Sequence, residues 1–193
     1  MKLILASNSP RRRELLGGLG YPYEVRVIED IDESYPETLS GSEVAAYISR
    51  AKSEAYRPTM ADDEVVITAD TIVCLDDKVL GKPTDEVEAM AMLRRLSGQV
   101  HQVYTGVTIM SLERESSFVS RTDVTFASLT EEEILHYVTH FRPMDKAGAY
   151  GIQEWIGYIG VERIEGSYFN VMGLPVQRLY TELKKYLKKG CED

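Results

Sequence analysis

The chain has 193 residues, 44% hydrophobic and 27% charged, with a formal net charge of −9. These are globular proportions, and the length suits one α/β domain over 1–193. No run of about 18 apolar residues exists to span a membrane, and an acidic surface argues against a nucleic-acid polymer as partner.

Leu3 to Ala6 is a short apolar run that reads as a buried strand. Ser7, Asn8 and Ser9 can each cap a helix, and Pro10 suits a first helical position. Leu15 and Leu16 then face the sheet. At this turn, helix-start N–H groups lie beside Arg11, Arg12 and Arg13. A helix start favours anions, and guanidinium forks match phosphate oxygens. The alternative is an ordinary capped helix with a solvated basic turn. Arginines in a first turn oppose the helix dipole, and a bound anion would account for them. A phosphate site at residues 7–13 is the expectation.

Tyr21 to Ile28 reads as a second strand, with Tyr23, Val25 and Val27 on one face. Glu29 to Pro36 is an acidic, turn-rich loop, either solvated or a source of carboxylates for a metal, with Glu33 as the favoured ligand. Ser40 and Glu43 resemble a capping box. The spacing predicts a helix to about Ala55, with Val44, Ile48, Ala51 and Ala55 inward. Arg50 and Lys52 border that stripe, where side chains usually snorkel to water. Pro58 stops the helix.

Glu64 to Leu75 is the most apolar strand candidate, covered on both faces because apolar residues occupy both parities. Asp70 stands in its middle. An isolated buried carboxylate is costly, so Asp70 must be paired, metal-bound or set at a break. Buried carboxylates also cluster at functional sites. Thr71 follows, facing the other side unless the strand kinks. Asp76-Asp77 makes a turn into Lys78-Val79-Leu80. Lys82 is pinned between Gly81 and Pro83. It could aim an ammonium at phosphate or be a plain surface lysine.

Thr84 or Asp85 caps a helix to about Leu96, with Val87, Met90, Ala91 and Leu93 or Arg94 inward and Gly98 as its stop. Val100–Leu112 and Ser117–Ala127 read as a hairpin. Thr130 and Glu133 box a helix to Phe141. Asp145 to Trp155 is a glycine-punctuated loop carrying Lys146 and Gln153. Small residues let a backbone approach a ligand, and the Gln153 amide could read a base edge. A tight turn with surface polar groups is the competing reading. Ile156–Ile164 reads as a strand and Glu165–Pro175 as a second loop. Pro175 opens a last helix reaching Leu187, where Lys184, Lys185, Lys188 and Lys189 complement its dipole.

Arg11 to Arg13, Lys52, Lys82 and Lys146 are cations, and Asp70 and Glu33 are carboxylates. Triphosphate hydrolysis uses both kinds: cations offset phosphate charge, while carboxylates hold Mg²⁺ or Mn²⁺ and orient a water. No Gly-x-x-x-x-Gly-Lys-Ser/Thr signature is present. Zinc is disfavoured, because His101, His136 and His140 make one close pair with no cysteine near it. A serine hydrolase elbow is also lacking. Cys74 and Cys191 make no disulfide framework, and no secretory pattern opens the chain, so the cytoplasm is the expected compartment.

Ala6-Ser7-Asn8-Ser9-Pro10-Arg11-Arg12-Arg13-Glu14-Leu15-Leu16 is similar to the opening signature of the Maf nucleotide pyrophosphatases. Ala69-Asp70-Thr71-Ile72-Val73, Gly81-Lys82-Pro83, the run from Asp145 to Gln153, and Gly166-Ser167-Tyr168 with Gly173-Leu174-Pro175 match later family blocks in order. The resemblance spans nearly the whole chain. It implies hydrolysis of a nucleoside triphosphate to monophosphate and pyrophosphate with a divalent cation, Mg²⁺ or Mn²⁺. It also implies an α/β fold like that of the inosine triphosphatases: a long twisted mixed β-sheet flanked by helices, with two lobes around a cleft. A homodimer is a further family expectation.

The resemblance implies that Asp70 accepts a proton and that Arg12, Thr71 and Gln153 set substrate choice. These three look like the branch acting on dTTP and UTP rather than on 7-methyl-GTP. Modified uridine and cytidine triphosphates are implied as further substrates. On this reading Asp70 and Glu33 hold the metal, and Ser7, Arg11, Arg12, Lys52 and Lys82 cradle the phosphates. Thr71 and Gln153 then face the base. Glu154 departs from the family pattern, in which glycine commonly follows the glutamine, and a carboxylate there could shift the base pocket. A reading of another class is a nucleotide-sensing regulator of cell division, since the family has been associated with inhibiting septum formation.

Overall fold

A computed structural model describes residues 1–187. In chain order the elements are β1 (Lys2–Leu5), α1 (Pro10–Gly17), β2 (Tyr23–Val25), α2 (Ser42–Tyr56), β3 (Glu64–Leu75), β4 (Lys78–Leu80), α3 (Glu86–Leu96), β5 (Val100–Met110), β6 (Glu115–Phe126), α4 (Glu131–Phe141), α5 (Trp155–Gly160), β7 (Val161–Glu165), α6 (Tyr168–Met172) and α7 (Val176–Leu187). The strands form one mixed sheet in the order β2-β1-β3-β5-β6-β7, with β4 also beside β3. β2, β1 and β3 run parallel, whereas β3, β5, β6 and β7 are successively antiparallel. The expected α/β architecture of a long mixed sheet flanked by helices is therefore observed.

β3 belongs to both halves of the sheet, and one of its edges changes partner partway along. β1 accompanies it as far as Ile67, and β4 covers it from Val73 to Leu75. Asp76 and Asp77, at φ of 50° and 61°, make the tight turn that returns the chain as β4. Between the two partners no strand among the described residues covers this edge, and the cleft opens there. On the other edge the ladder continues unbroken, pairing Asp70 with Gly106 and Thr71 with Thr105.

Apolar side chains fill both faces. Leu15 and Leu16 of α1 and Leu179 and Leu183 of α7 pack on Leu3, Leu5, Val65 and Ile67. Val44, Ala45 and Ile48 of α2 cover Ile72 and Cys74 from the opposite side. Leu93 of α3 and Ile134 and Val138 of α4 close on Val103 and Val124 farther along. α2 approaches so closely at Gly106 that a Cβ there would lie 2.1 Å from the Ala45 carbonyl oxygen.

Several local expectations are corrected. The inward side of α2 carries Ser49 and Ser53, both fully buried, while Ala51 and Ala55 are half-buried. The two hydroxyls donate to the carbonyls of Ala46 and Arg50, so the helix satisfies them itself. The N-cap of α2 is Gly41, and the expected box keeps only its return bond, from Ser40 N to Glu43. α3 is rotated from its expected face: Ala89, Met92, Leu93 and Leu96 point inward and Val87 is 74% exposed. Ile156 to Gly160 is helical, and strand pairing begins only at Val161. A six-residue apolar run carries too little periodicity to separate the two states. The loop 165–175 contains α6, capped by Ser167 and ended by Gly173 at φ 119°. Only Tyr23–Val25 of the expected second strand is paired. Lys188, Lys189 and Cys191 lie outside the described residues.

Candidate active site

The polar turn after β1 delivers α1 to the uncovered edge of β3. Ser9 is its N-cap, accepting from Arg12 N at 3.5 Å, and its first turn holds no acidic residue. Arg12 reaches three acceptors: the Gly173 carbonyl at 2.9 Å, Thr71 Oγ1 at 3.1 Å and Ser7 Oγ at 3.5 Å. All three are neutral. Among the described residues no carboxylate pairs with Arg12. Burial pushes its guanidinium below the ordinary arginine value, and the Asp70 charge only partly offsets this. A half-buried cation among neutral acceptors favours an incoming anion.

Asp70 follows from the ladder alone. It stays in register on β3, with no break, and its side chain emerges on the α2 side. There Lys52 Nζ lies 2.8 Å from Asp70 Oδ1 and 2.9 Å from Glu33 Oε1. Lys52 therefore leaves the helix border to join two carboxylates instead of snorkelling. Burial works to raise the Glu33 carboxyl, but Lys52, Lys82 and Arg12 more than offset it and hold it below the usual range. Thr71, one residue on, faces the other side of the sheet. Both side chains reach the cleft because the edge between them is uncovered.

The cleft consists of two adjoining hollows. The inner one is walled by Val73, Val103, Tyr150, Val171 and Met172, with Thr71 and Gln153 as polar groups. The outer one holds Ser7, Asn8, Glu33 and the start of α1. Arg11, Arg12, Lys52 and Lys82 border both. Thus Ser7, Arg11, Arg12, Glu33, Lys52, Asp70, Thr71, Lys82 and Gln153, singled out from the sequence, all line one cleft. Lys82 is exposed and has no carboxylate partner among the described residues.

The loop after α4 closes the inner hollow. Gln153 Oε1 is buried and accepts from no described group. Its neighbour Glu154 turns away from the cleft, accepting from Tyr137 Oη and pairing with Lys146 at 3.1 Å. Tyr137 Oη in turn accepts from Gly151 N at 3.0 Å. Glu154 thus anchors the loop from behind and is not among the residues lining the inner hollow. Arg11 is tied to the same loop through Asp145 at 3.1 Å.

Sequence reasoning missed Thr105, Asn170 and Tyr137, which are buried polar residues behind the cleft. Thr105 reads as one more strand residue, and only its register opposite Thr71 reveals its place. Tyr150, which walls the inner hollow, carries no sequence signal beyond its position in a family block.

Asp70 and Glu33 offer oxygen donors that converge on one ammonium. Such a pair, completed by phosphate oxygens and water, suits a hard divalent cation. Among the described residues no cluster of three His, Cys, Asp or Glu side chains forms, so a metal would depend on ligand oxygens. The residues present fit Mg²⁺ or Mn²⁺ on those terms.

Comparison with known proteins places the chain. A family model described as "Maf-like protein" matches residues 2–186. A protein of Phocaeicola vulgatus named dTTP/UTP pyrophosphatase is 61% identical over 184 residues, 95% of each chain. A protein of the same name from Parabacteroides distasonis is 60% identical over 185 residues, 96% of each chain. Among solved structures, a HAM1 protein from Coxiella burnetii superposes with a TM-score of 0.51 at 13% identity, covering 96% of this chain and 99% of that one. That likeness concerns the fold alone. With a family match spanning the sheet, its helices and the whole cleft, the chain belongs to the Maf family.

Proposed function

We infer that the chain is a nucleoside triphosphate pyrophosphatase that hydrolyses dTTP and UTP to the monophosphate and pyrophosphate. The observation that carries this is the make-up of the cleft: four cations, Arg11, Arg12, Lys52 and Lys82, stand beside an inner wall of Val73, Val103, Tyr150, Val171 and Met172 that carries Thr71 and Gln153. The relatives' shared name supports the same substrates. Modified pyrimidine triphosphates are further proposed substrates, and removing such nucleotides before incorporation is the proposed role.

Asp70 accepts a proton from the water that attacks the α-phosphorus. The bond from the α-phosphorus to the bridging oxygen breaks and pyrophosphate leaves. Arg11, Arg12, Lys52 and Lys82 offset the charge on the phosphates, and Ser7 with the α1 N-terminus adds neutral donors. Lys52 holds Asp70 and Glu33 in place. Asp70 and Glu33 would hold a divalent cation, which would supply further charge neutralisation. Thr71 and Gln153 face the base.

The acidic net charge, −9, favours a small phosphorylated ligand over a nucleic-acid polymer. No described helix is long and apolar enough to cross a membrane, and we propose a cytoplasmic enzyme with no membrane partner, acting as a homodimer. A phosphate-release assay with added inorganic pyrophosphatase, run over dTTP, UTP, CTP and 7-methyl-GTP with Mg²⁺ or Mn²⁺, tests the reading. Release with dTTP and UTP above the others is expected. Release with none of them would overturn it and favour the nucleotide-sensing regulator.

A further inference from the structure

A row of hydrogen bonds leads from the cleft into the sheet. Arg12 Nη2 donates to Thr71 Oγ1 at 3.1 Å. Thr71 Oγ1 lies 2.9 Å from Thr105 Oγ1, and Thr105 Oγ1 lies 3.0 Å from the Asn170 carbonyl oxygen. Thr71 and Thr105 are direct ladder partners, and Thr105 is fully buried. Asn170 is itself held, with Nδ2 donating to the Val103 carbonyl at 3.1 Å and to Thr122 Oγ1 at 3.0 Å.

Both ends of the row have fixed polarity. A guanidinium only donates and a carbonyl only accepts. The Thr105 hydroxyl has one hydrogen, and the Asn170 carbonyl takes it. The hydrogen of Thr71 must therefore point at Thr105. Of the two Thr71 lone pairs, Arg12 occupies one and the other remains for the cleft. A cation at the head of such a row polarises every bond in the same sense.

We propose that Thr105 is a positioning residue that fixes the direction of the Thr71 hydroxyl, so that Thr71 meets a bound nucleotide as a hydrogen-bond acceptor only. The inference rests on the pyrophosphatase reading of this cleft. Gln153 Oε1 is a second unpartnered acceptor in the same hollow. Two acceptors there select a ring edge that donates. Cytosine also donates, through its N4 amino group, so the discrimination lies at ring position 3: the N3–H of uracil and thymine donates to Thr71, whereas N3 of cytosine only accepts. Thr105 thereby contributes to ranking cytidine nucleotides below uridine and thymidine nucleotides without touching either.

Thr105→Val keeps the shape and removes the hydroxyl, which frees the Thr71 hydrogen to turn toward the ligand. The UTP-over-CTP ratio of kcat/KM is expected to fall about tenfold, the value of one shielded hydrogen bond. Thr105→Ser restores the hydroxyl and is expected to restore the ratio. A neutron structure of the unmodified protein in deuterated solvent reads the same hydrogen independently of activity. Deuterium on Thr71 aimed at Thr105 supports the proposal. Deuterium on Thr105 aimed at Thr71, or an unchanged ratio in folded Thr105→Val, overturns it. If the unmodified protein releases no pyrophosphate from UTP, the pyrophosphatase reading fails, and the neutron map still decides the hydrogen.

Discussion

The Asp70 carboxylate lies 2.8 Å from the Lys52 ammonium, one on the central strand and the other on the helix that covers it. Asp70→Asn keeps an acceptor for Lys52 but loses the basic oxygen. Turnover is expected to fall by about three orders of magnitude, as for a lost general base. Nucleotide binding should stay within about tenfold, since the cationic wall is intact. Steady-state pyrophosphate release and calorimetric titration with a non-hydrolysable dTTP analogue check both halves. Undiminished release would remove Asp70 from the proposed role.

Gly106 sits opposite Asp70 in the ladder and admits the backbone of α2, where a Cβ would stand 2.1 Å from the Ala45 carbonyl oxygen. Gly106→Ala must push the helix outward and carry Lys52 with it. A loss of about 2–3 kcal/mol is expected from such overpacking, together with lower kcat/KM. Urea denaturation and kinetics on the same preparation test this. A variant with native stability and activity would show that α2 can move without cost.

Glu64 is buried and holds Arg26 through two bonds, of 2.6 and 2.9 Å. Arg26 and the Ala61 N–H outweigh burial and pull its carboxyl down to about 2. A depressed carboxylate stabilises the fold above its unfolded value of 4.5 and loses that contribution as pH falls toward about 2. Glu64→Gln should cost about 2 kcal/mol at neutral pH, the worth of a charged hydrogen-bonded pair. The gap between the two proteins should narrow from pH 4.5 downward. Thermal melts across pH 2.5–7 read it, and a gap independent of pH would refute the assignment.

Glu154 braces the 145–153 loop from behind by accepting from Tyr137 and pairing with Lys146. Burial and then the Glu154 carboxylate push the Tyr137 hydroxyl well above the ordinary tyrosine range, so it stays a donor. Glu154→Ala leaves that hydroxyl without its acceptor and is expected to lower stability by about 2 kcal/mol. The UTP-over-CTP preference should not change, because the carboxylate points away from the inner hollow. A changed preference with unchanged stability would return Glu154 to the base pocket.

Much of the site was legible because its chemistry contradicts its surroundings. Asp70 interrupts an apolar strand, and Arg11 to Arg13 oppose a helix dipole in an acidic chain. Such conflicts between local preference and placement mark function more reliably than composition does. What stayed hidden was polar and unremarkable in sequence. Ser49 and Ser53 replace alanines on the inner face of α2 because a helix can satisfy its own serines, so hydrophobicity alone misjudged the stripe. Thr105 depends on cross-strand register, which no single strand encodes, and Asn170 on the docking of α6 against β5. α5 was misread because Ile-Gly-Tyr-Ile-Gly is too short to show a period, yet a Cβ at Gly157 would stand 1.8 Å from the Ile152 carbonyl oxygen. The bend there, not the apolar run, decides the local conformation.

The twelve residues of β3 are common property of the parallel and antiparallel halves. Arg12 approaches from one half and Gln153 from the other, so any narrowing of the cleft about a nucleotide must bend or twist that shared strand. Its unbroken ladder with β5 acts as a leaf spring. The two walls of the cleft are therefore tied to each other through backbone hydrogen bonds and not through a loop.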